Sequence, residues 1–343
     1  MDVRRWYFAA FITGLSVVNS VLRFAQRAVY GGRIRRTPLV DGPIVIMGAW
    51  RTGTTFLHEL LVLDERHTAP TSYECFAPNH FLLTEWLFAR LLWFLFPPRR
   101  PMDNMKAGWD RPQEDEFALC MLGQPSPYWT IAFPRTDSSL WTYAGFHGFS
   151  PEELASWKAA FVTFLRSVTL ARRRRLVLKS PLHAGRIGTL ADLFPNARFV
   201  YLVRDPQTVF ASTRHLWRSL IGHQSLQAGG LDALDDRVLD LGARLHDAFE
   251  RDRHLIEDRL HEIRYEDLIR DPIGELRILY ARLGLGDLDP LAPALRAHVA
   301  RLAGYAANRY ELTPAERSLV DRRWRRLGQY YASVSADRSG ISV

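Results

Sequence analysis

The segment from Pro43 to Leu63 constrains the fold of this chain more than any other. It opens with a short apolar run, PIVIMG, that ends in glycine, as a buried parallel strand does. The residues from Thr54 onward have the pattern of a helix, so one glycine-bounded loop, GAWRTG, joins the strand to the helix. Such a loop directs successive backbone N–H groups and a helix N-terminus at one point, which predicts a site for an anion.

Strand and helix patterns alternate through the rest of the chain. Further strands are predicted at 176–178, 198–203 and 262–265, and further helices at 183–193 and 232–260. Ser150 and Thr313 each begin a proline-led capping box, which predicts two more helix starts. This alternation predicts an α/β fold of the P-loop type, with three α/β/α layers around a central, mainly parallel sheet, and with helical insertions. Since no repeat or low-complexity linker divides the chain, we expect one domain over 41–343 after an N-terminal extension over 1–40.

The charge and the cysteine content narrow the class of protein. The formal net charge is +8, which predicts attraction to anions. The sequence has no arginine-rich tail and no known nucleic-acid module, so a basic nucleotide pocket explains this charge better than a nucleic-acid partner. Two cysteines, Cys75 and Cys120, make neither a disulfide framework nor a zinc motif. They favour a reducing compartment, and we therefore expect a cytoplasmic protein.

Two apolar stretches raise the question of a membrane. Residues Trp6–Leu22 carry no charge, but polar side chains recur there and just beyond at a spacing of three to four residues: Thr13, Ser16, Ser20, Arg23 and Arg27. This stripe predicts an amphipathic N-terminal helix that packs on the domain, lies on a membrane surface or spans the bilayer. The second run, 81–96, is interpreted as a buried helix, or as the wall of an apolar acceptor site.

The loop after the first strand carries the chemistry. It reads Arg51-Thr52-Gly53-Thr54-Thr55, in which backbone N–H groups, hydroxyl donors and one fixed positive charge would converge on an anion. The glycine spacing matches a P-loop, but Thr54 stands where a nucleoside-triphosphate site has its lysine. A tight turn with capping threonines is the alternative.

A second segment, Arg198 to Pro206 followed by Ser212, supports the interpretation of the loop as an anion site. A strand that delivers Arg204 at its C-terminal end, with Ser212 on the next helix, can bind one phosphate from two sides. Together the two segments resemble the sulfotransferases that use 3′-phosphoadenosine 5′-phosphosulfate (PAPS). The arginine in the loop is similar to that of the tyrosylprotein sulfotransferases and of many bacterial sulfotransferases.

This resemblance implies roles for individual residues. The loop would bind the phosphosulfate group, Arg204 and Ser212 the 3′-phosphate, and Tyr265 would lie near the adenine. Lys179, one of only three lysines in the chain, would reach the transferring sulfuryl group.

The general base is left open between two residues. The small-molecule branch of the family has a histidine directly after the lysine, but here Ser180 and Pro181 stand there and His183 follows. The tyrosylprotein branch uses a glutamate some twenty residues after the loop arginine, a place that Glu74 fits. We favour Glu74 over His183.

An acidic run, Glu114 to Glu116, is interpreted as a solvated helix start, with a cation or a basic acceptor as the alternative. The resemblance implies in-line transfer of a sulfuryl group to a hydroxyl or amine, with no metal required. The acceptor is expected to be a small molecule, a lipid or a saccharide, and the oligomeric state cannot be read from the sequence. The alternatives are a P-loop kinase-like phosphotransferase, for which Asp205 would bind magnesium, and a non-catalytic membrane-associated binding protein.

Overall fold

The computed structural model describes residues 6–91, 107–135, 143–302 and 310–339. The strands are β1 (Ile44–Met47), β2 (His67–Thr68), β3 (Arg175–Lys179), β4 (Arg198–Val203) and β5 (Leu260–Arg264). The α-helices are α1 (Trp6–Arg36), α2 (Thr54–Leu61), α3 (Ser72–Phe76), α4 (Phe81–Leu91), α5 (Asp115–Met121), α6 (Trp129–Ala132), α7 (Pro151–Ala171), α8 (Ile187–Leu193), α9 (Pro206–Gln224), α10 (Leu234–Asp252), α11 (Tyr265–Arg270), α12 (Pro272–Leu283), α13 (Ala292–Leu302), α14 (Pro314–Arg323) and α15 (Arg325–Ser339). Short 3-10 helices lie at Pro181–Gly185, Arg253–Arg259 and Asp289–Leu291.

The strands form a sheet in the order β2-β3-β1-β4-β5. Strand β4 runs parallel to β1, with Ile44 opposite Arg198, and parallel to β5, with Phe199 opposite Leu260. Every residue of β1 is buried, as its uninterrupted apolar run predicts for a strand covered on both faces. The predicted α/β fold with a mainly parallel sheet is confirmed.

The chain contains two compact units, and both are discontinuous in sequence. The first unit comprises 1–41, 68–178 and 216–234, and the second comprises 42–67, 179–215 and 235–343. The predicted boundary between an extension over 1–40 and a domain over 41–343 stays a prediction.

Each unit has an apolar interior of its own. In the first unit Trp157 and Phe161 of α7 are completely buried, and Phe164 meets Phe81 edge to face with ring centroids 6.4 Å apart. In the second unit Tyr201 of β4 stacks on Phe249 of α10. Large aromatic rings of this kind contribute much of the buried apolar area on which the stability of a fold depends.

Both predicted proline-led helix starts are confirmed. Ser150 accepts a hydrogen bond from the backbone N–H of Glu153, and Thr313 accepts one from that of Glu316. The carboxylate of the glutamate in each pair accepts a hydrogen bond from the backbone N–H of the cap residue, so these are complete capping boxes.

The two apolar runs adopt helices, but neither is fully buried. Helix α1 bonds to α4 through Gln26 and to His80, the residue before α4, through Asn19, while most of its other side chains are exposed. Helix α4 buries Phe81 and Thr84 but exposes Trp86, so the interpretation as a buried helix holds for one side only. Residues 92–96 of that run lie outside the described residues. Within the described ranges, no helix is long and apolar enough to cross a membrane.

The capping geometry predicts the effect of one substitution. Thr313→Ala removes the acceptor for the Glu316 N–H, and we expect it to lower the free energy of unfolding by about 1 kcal/mol. Chemical denaturation would measure the change. Thr313→Ser is the control, because a serine hydroxyl can form the same cap; an equal loss in both variants would contradict this account.

Candidate functional site

The loop between β1 and α2 is held in a conformation that brings backbone close to neighbouring side chains. Gly53, the N-cap of α2, has a φ of 95°, and a Cβ atom built on it would lie 2.3 Å from Cδ2 of Tyr265. Gly48, at the start of the loop, would bring a Cβ atom within 2.5 Å of the Leu202 carbonyl oxygen. Glycine is required at both places because any side chain would collide with these neighbours. The Tyr265 ring therefore packs directly on the backbone of the loop.

Three residues predicted from separate segments come together at this loop. The Arg51 Nε atom donates a hydrogen bond of 2.9 Å to Oγ of Ser212. The Arg204 Nη1 atom donates a bond of 2.9 Å to the backbone carbonyl of Arg51. The Arg204 guanidinium also lies over the Tyr265 ring, 4.0 Å from its centroid. We call Arg51, Arg204, Ser212 and Tyr265 the anion cluster.

The anion cluster concentrates positive charge. Arg51 and Arg204 are both half-buried; Arg51 bonds to Ser212, and Arg204 bonds to the backbone of Arg51 itself. Among the residues that the structure describes, no carboxylate forms an ion pair with Arg204. A partly buried guanidinium without a carboxylate partner is suited to bidentate binding of a phosphate.

The threonines of the loop divide between structure and binding. Thr52 is buried, and its hydroxyl donates to the Ala49 carbonyl at 2.8 Å, so it closes the turn. Thr54 is also buried, whereas Thr55 is half-exposed in the first turn of α2. Thr213 donates to the Trp50 carbonyl at 3.2 Å and thereby ties α9 to the loop. The sequence analysis missed Thr213, although its position next to Ser212 is the signal that could have found it.

Lys179 and His183 lie beside the end of β1. The backbone N–H of Ser180 donates to the Ile46 carbonyl at 3.3 Å, which fixes the end of β3 against β1. The Ser180 hydroxyl accepts from the N–H of Leu182 and caps the 3-10 helix that carries His183. Lys179 is 3% exposed and His183 is completely buried. Lys179 and His183 belong to the second unit, which also contains the whole anion cluster.

Glu74 lies in the first unit, at the third position of α3. It forms a capping box with Thr71, whose backbone N–H donates to Glu74 Oε2 at 2.8 Å. Arg172 Nη2 donates to the same oxygen at 2.6 Å. Glu74 is completely buried, and its other oxygen, Oε1, has no hydrogen-bond partner among the described residues. Arg172 was not singled out from the sequence, because nothing there distinguishes it in a run of four arginines.

Burial raises the pKa of the Glu74 carboxyl above its ordinary value of 4.5, although the Arg172 guanidinium and the Thr71 N–H act in the opposite direction. Desolvation disfavours the charged carboxylate, and only one of its two oxygens is compensated. A carboxylate of this kind is a stronger base than an exposed one, which suits it to accept a proton.

The interpretation of the acidic run as a solvated helix start was wrong. Asp115 and Glu116 are completely buried in the first turn of α5. Glu116 accepts a hydrogen bond from Ser126, and Glu114 accepts one from the Tyr128 hydroxyl. The helix dipole favours acids here, but tertiary contacts have removed them from water. Across the described ranges, no group of three or more His, Cys, Asp or Glu side chains is arranged to hold a metal ion.

Comparison with known proteins gives a consistent result. The model of a sulfotransferase family matches residues 43–290. The chain is 48% identical over 321 residues to the omega-hydroxy-beta-dihydromenaquinone-9 sulfotransferases Stf3 of Mycobacterium bovis and Mycobacterium tuberculosis, covering 93% of this chain and 82% of the relatives. It is 32% identical over 151 residues to carbohydrate sulfotransferase 5 of Mus musculus, which covers 40% of this chain and 37% of that protein.

Two solved structures have a similar fold. The sulfotransferase STF9 from Mycobacterium avium superimposes with a TM-score of 0.70 at 22% identity, covering 89% of this chain and 80% of that one. The sulfotransferase STF1 from Mycobacterium tuberculosis gives a TM-score of 0.66 at 19% identity, covering 94% and 87%. At these identities the comparison supports the architecture and not the individual site residues.

The contact between Gly53 and Tyr265 predicts the result of Gly53→Ala. The new methyl group would displace the Tyr265 ring, and we expect 3′-phosphoadenosine 5′-phosphate to bind about tenfold more weakly in calorimetric titration. Gly284→Ala is the matched control, since Gly284 also has a positive φ but nothing lies within 4 Å of its Cβ position. Unchanged affinity in Gly53→Ala, or an equal loss in both variants, would show that the collision does not matter for binding.

Proposed function

This chain belongs to the sulfotransferase family, and on that premise we propose that it takes its sulfuryl group from PAPS, bound at the anion cluster. It is an enzyme that transfers a sulfuryl group to an acceptor. The observation that carries the proposal is the junction of Arg51, Arg204 and Ser212, which the tertiary structure assembles from two separate segments.

The geometry supports a division of labour between the two ends of the donor. The Arg204 guanidinium and the Ser212 hydroxyl bind the 3′-phosphate. Since Arg51 donates to Oγ of Ser212, the hydroxyl hydrogen of Ser212 remains for a phosphate oxygen. The loop N–H groups, Arg51 and Thr55 bind the 5′-phosphosulfate at the N-terminus of α2. Tyr265, held against Gly53, offers a ring to the adenine.

Transfer proceeds by in-line displacement. The acceptor oxygen attacks sulfur, the bond between sulfur and the bridging 5′-phosphate oxygen breaks, and the negative charge passes to the leaving 3′-phosphoadenosine 5′-phosphate. Arg51 and Lys179 stabilise this charge as it develops, because preorganised cations are most effective where charge appears in the transition state. The transferred group has less negative charge than a phosphoryl group, so the mechanism needs no metal ion.

Glu74 accepts the proton of the acceptor. Its support is the buried carboxylate with one oxygen uncompensated and a raised pKa. His183 is the second candidate, since it follows Lys179 on the 3-10 helix beside β1. We favour Glu74 because its basicity has a visible physical cause.

The acceptor is proposed to be the hydroxyl of a lipid of the isoprenoid-quinone class. The support is the identity of 48% across 93% of this chain to relatives named for sulfation of an omega-hydroxylated dihydromenaquinone. A saccharide is the second candidate, favoured by the shorter match to a carbohydrate sulfotransferase. We further propose that the enzyme works in the cytoplasm, since its two cysteines make neither a disulfide framework nor a zinc motif in the sequence.

A kinase-like phosphotransferase is not favoured by the site. The Asp205 carboxylate, which would have to bind magnesium, accepts hydrogen bonds from both the N–H and the hydroxyl of Thr208 through Oδ2. Asp205 therefore caps α9, and Thr54 occupies the place of the P-loop lysine.

The donor site is tested by titrating the protein with 3′-phosphoadenosine 5′-phosphate and with AMP, which lacks the 3′-phosphate. We expect Arg204→Ala to weaken binding of the bisphosphate about 10- to 100-fold more than that of AMP, because only the bisphosphate presents a 3′-phosphate to Arg204, whereas AMP loses only the support that Arg204 gives to the loop and to Tyr265. Equal losses for both nucleotides would contradict the assignment. Binding of ATP that requires magnesium would favour the hypothesis of a kinase-like phosphotransferase.

The base is tested by the pH dependence of turnover. Since Glu74 must be ionised to accept a proton, and its pKa is raised, turnover should fall as the pH drops through a value above 4.5. Glu74→Gln should lower turnover by about 10²- to 10⁴-fold, remove this acidic limb and leave bisphosphate affinity unchanged. His183→Asn is the comparison: if it removes the limb while Glu74→Gln does not, His183 is the base.

The acceptor is tested by incubating the enzyme and PAPS with an omega-hydroxylated menaquinone and with an oligosaccharide. Mass spectrometry would detect the addition of one SO₃ group. We expect the lipid to be sulfated, and exclusive sulfation of the oligosaccharide would overturn the lipid proposal.

A further inference from the structure

Helix α1 exposes large apolar side chains around much of its circumference, and one row of them extends along most of its length. Trp6, Val17, Val21 and Phe24 are 62%, 63%, 64% and 76% exposed. Their spacings of eleven, four and three residues place them on one side of the helix. Asn19 and Gln26, which bond to His80 and to α4, lie on the opposite side of the helix. The exposed Val18 and Val29 lie on the flank between the two sides.

Helix α4, in the same unit, continues this apolar exposure. Trp86 is 68% exposed and Leu91 is 56% exposed. Asn19 Oδ1 lies 3.0 Å from Nε2 of His80, the residue before α4, and the Leu82 N–H of α4 donates to Gln26 Oε1 at 2.9 Å, so hydrogen bonds join the start of α4 to α1. We call the six exposed residues the α1–α4 surface: Trp6, Val17, Val21, Phe24, Trp86 and Leu91. Exposed apolar side chains of this size and number mark an interaction site.

Three hydroxyl groups of the polar stripe of α1 form hydrogen bonds within the helix. The hydroxyls of Thr13, Ser16 and Ser20 donate to backbone carbonyls of the preceding turn, at 2.7 to 2.8 Å. Because these donors are already satisfied within the helix, moving the stripe out of water costs less than moving free hydroxyls.

The charge of α1 identifies the kind of partner. Its 31 residues include five arginines and no acidic residue, and three of the arginines, Arg33, Arg35 and Arg36, lie in the last turn. A basic helix with an apolar face suits the interface of an anionic bilayer, where the apolar side chains enter the acyl boundary and the arginines reach the phosphates. A second copy of the chain would instead bring the same arginines, and no acid, against this helix.

We propose that the α1–α4 surface docks the enzyme on an anionic lipid bilayer, with α1 lying in the plane of the headgroups. The surface belongs to the first unit and takes no part in the donor chemistry proposed above. Docking would bring the enzyme to a membrane from which a lipid acceptor is drawn.

The experiment is flotation of the full chain with vesicles of phosphatidylcholine, alone or mixed with phosphatidylglycerol. We expect binding to the mixed vesicles that weakens as salt is added, since the arginine–phosphate attraction is screened. Val21→Ser combined with Phe24→Ser, and separately Trp86→Ser combined with Leu91→Ser, should each lower the partition coefficient about tenfold. Ile278→Ser is the matched control, because Ile278 is 53% exposed on α12 of the other unit, and it should bind like the unaltered chain.

Bisphosphate titration of every variant separates docking from the donor site. Loss of vesicle binding with unchanged bisphosphate affinity is the expected pattern. The docking proposal is overturned if the full chain ignores both kinds of vesicle, binds both equally, or binds as before in the double variants. It is also overturned if light scattering shows a dimer that the same variants dissociate, since a second copy would then cover the surface. In each of these cases intact bisphosphate binding leaves the proposed donor site standing.

Discussion

The hydrogen bond from the Arg204 guanidinium to the Arg51 carbonyl holds the donor site together. It joins the end of β4 to a loop that follows β1, and these strands are neighbours in the parallel sheet. Because the carboxyl ends of parallel strands lie at one edge of a sheet, residues more than 150 positions apart can share one anion. Arg51 has a positive φ of 68°, which a non-glycine residue rarely adopts, and the bonds of its carbonyl and side chain hold it there.

The anion cluster and Glu74 differ in how their charged groups are exposed and compensated. In the anion cluster, guanidinium groups are half-buried beside the loop backbone, where the proposed polyanionic donor would add counter-charge. Glu74 is instead completely buried and compensated at one oxygen only, which raises the pKa of its carboxyl. Arg172 limits that effect, since it balances part of the charge that burial destabilises. In the proposed mechanism the first arrangement binds the donor and the second accepts a proton.

The α1–α4 surface shows how a helix can have hydroxyl groups and still suit an apolar environment. Its serines and its threonine bond to their own backbone, so the polarity that its sequence indicates is largely internal. Charge is placed toward the C-terminal end of α1, where arginines also favour the helix dipole. An enzyme that acts on a lipid gains from such a surface, because its acceptor is concentrated at the membrane.

The sequence by itself determined the sheet, the glycine-bounded loop and the helix caps, because each depends on a local pattern: an apolar run, a glycine spacing, a serine or threonine three residues before a glutamate. It also identified Arg51, Arg204, Ser212 and Tyr265, because their segments resemble those of a known family. Tertiary structure alone decided which carboxyl groups are buried. Asp115 and Glu116 occur in a run that predicts a solvated helix start, and they are buried because neighbouring elements fold over them. Burial and hydrogen-bond partners are properties of the packed chain, so Arg172 could be found only there, and the bond of Thr213 to the Trp50 carbonyl is likewise visible only there.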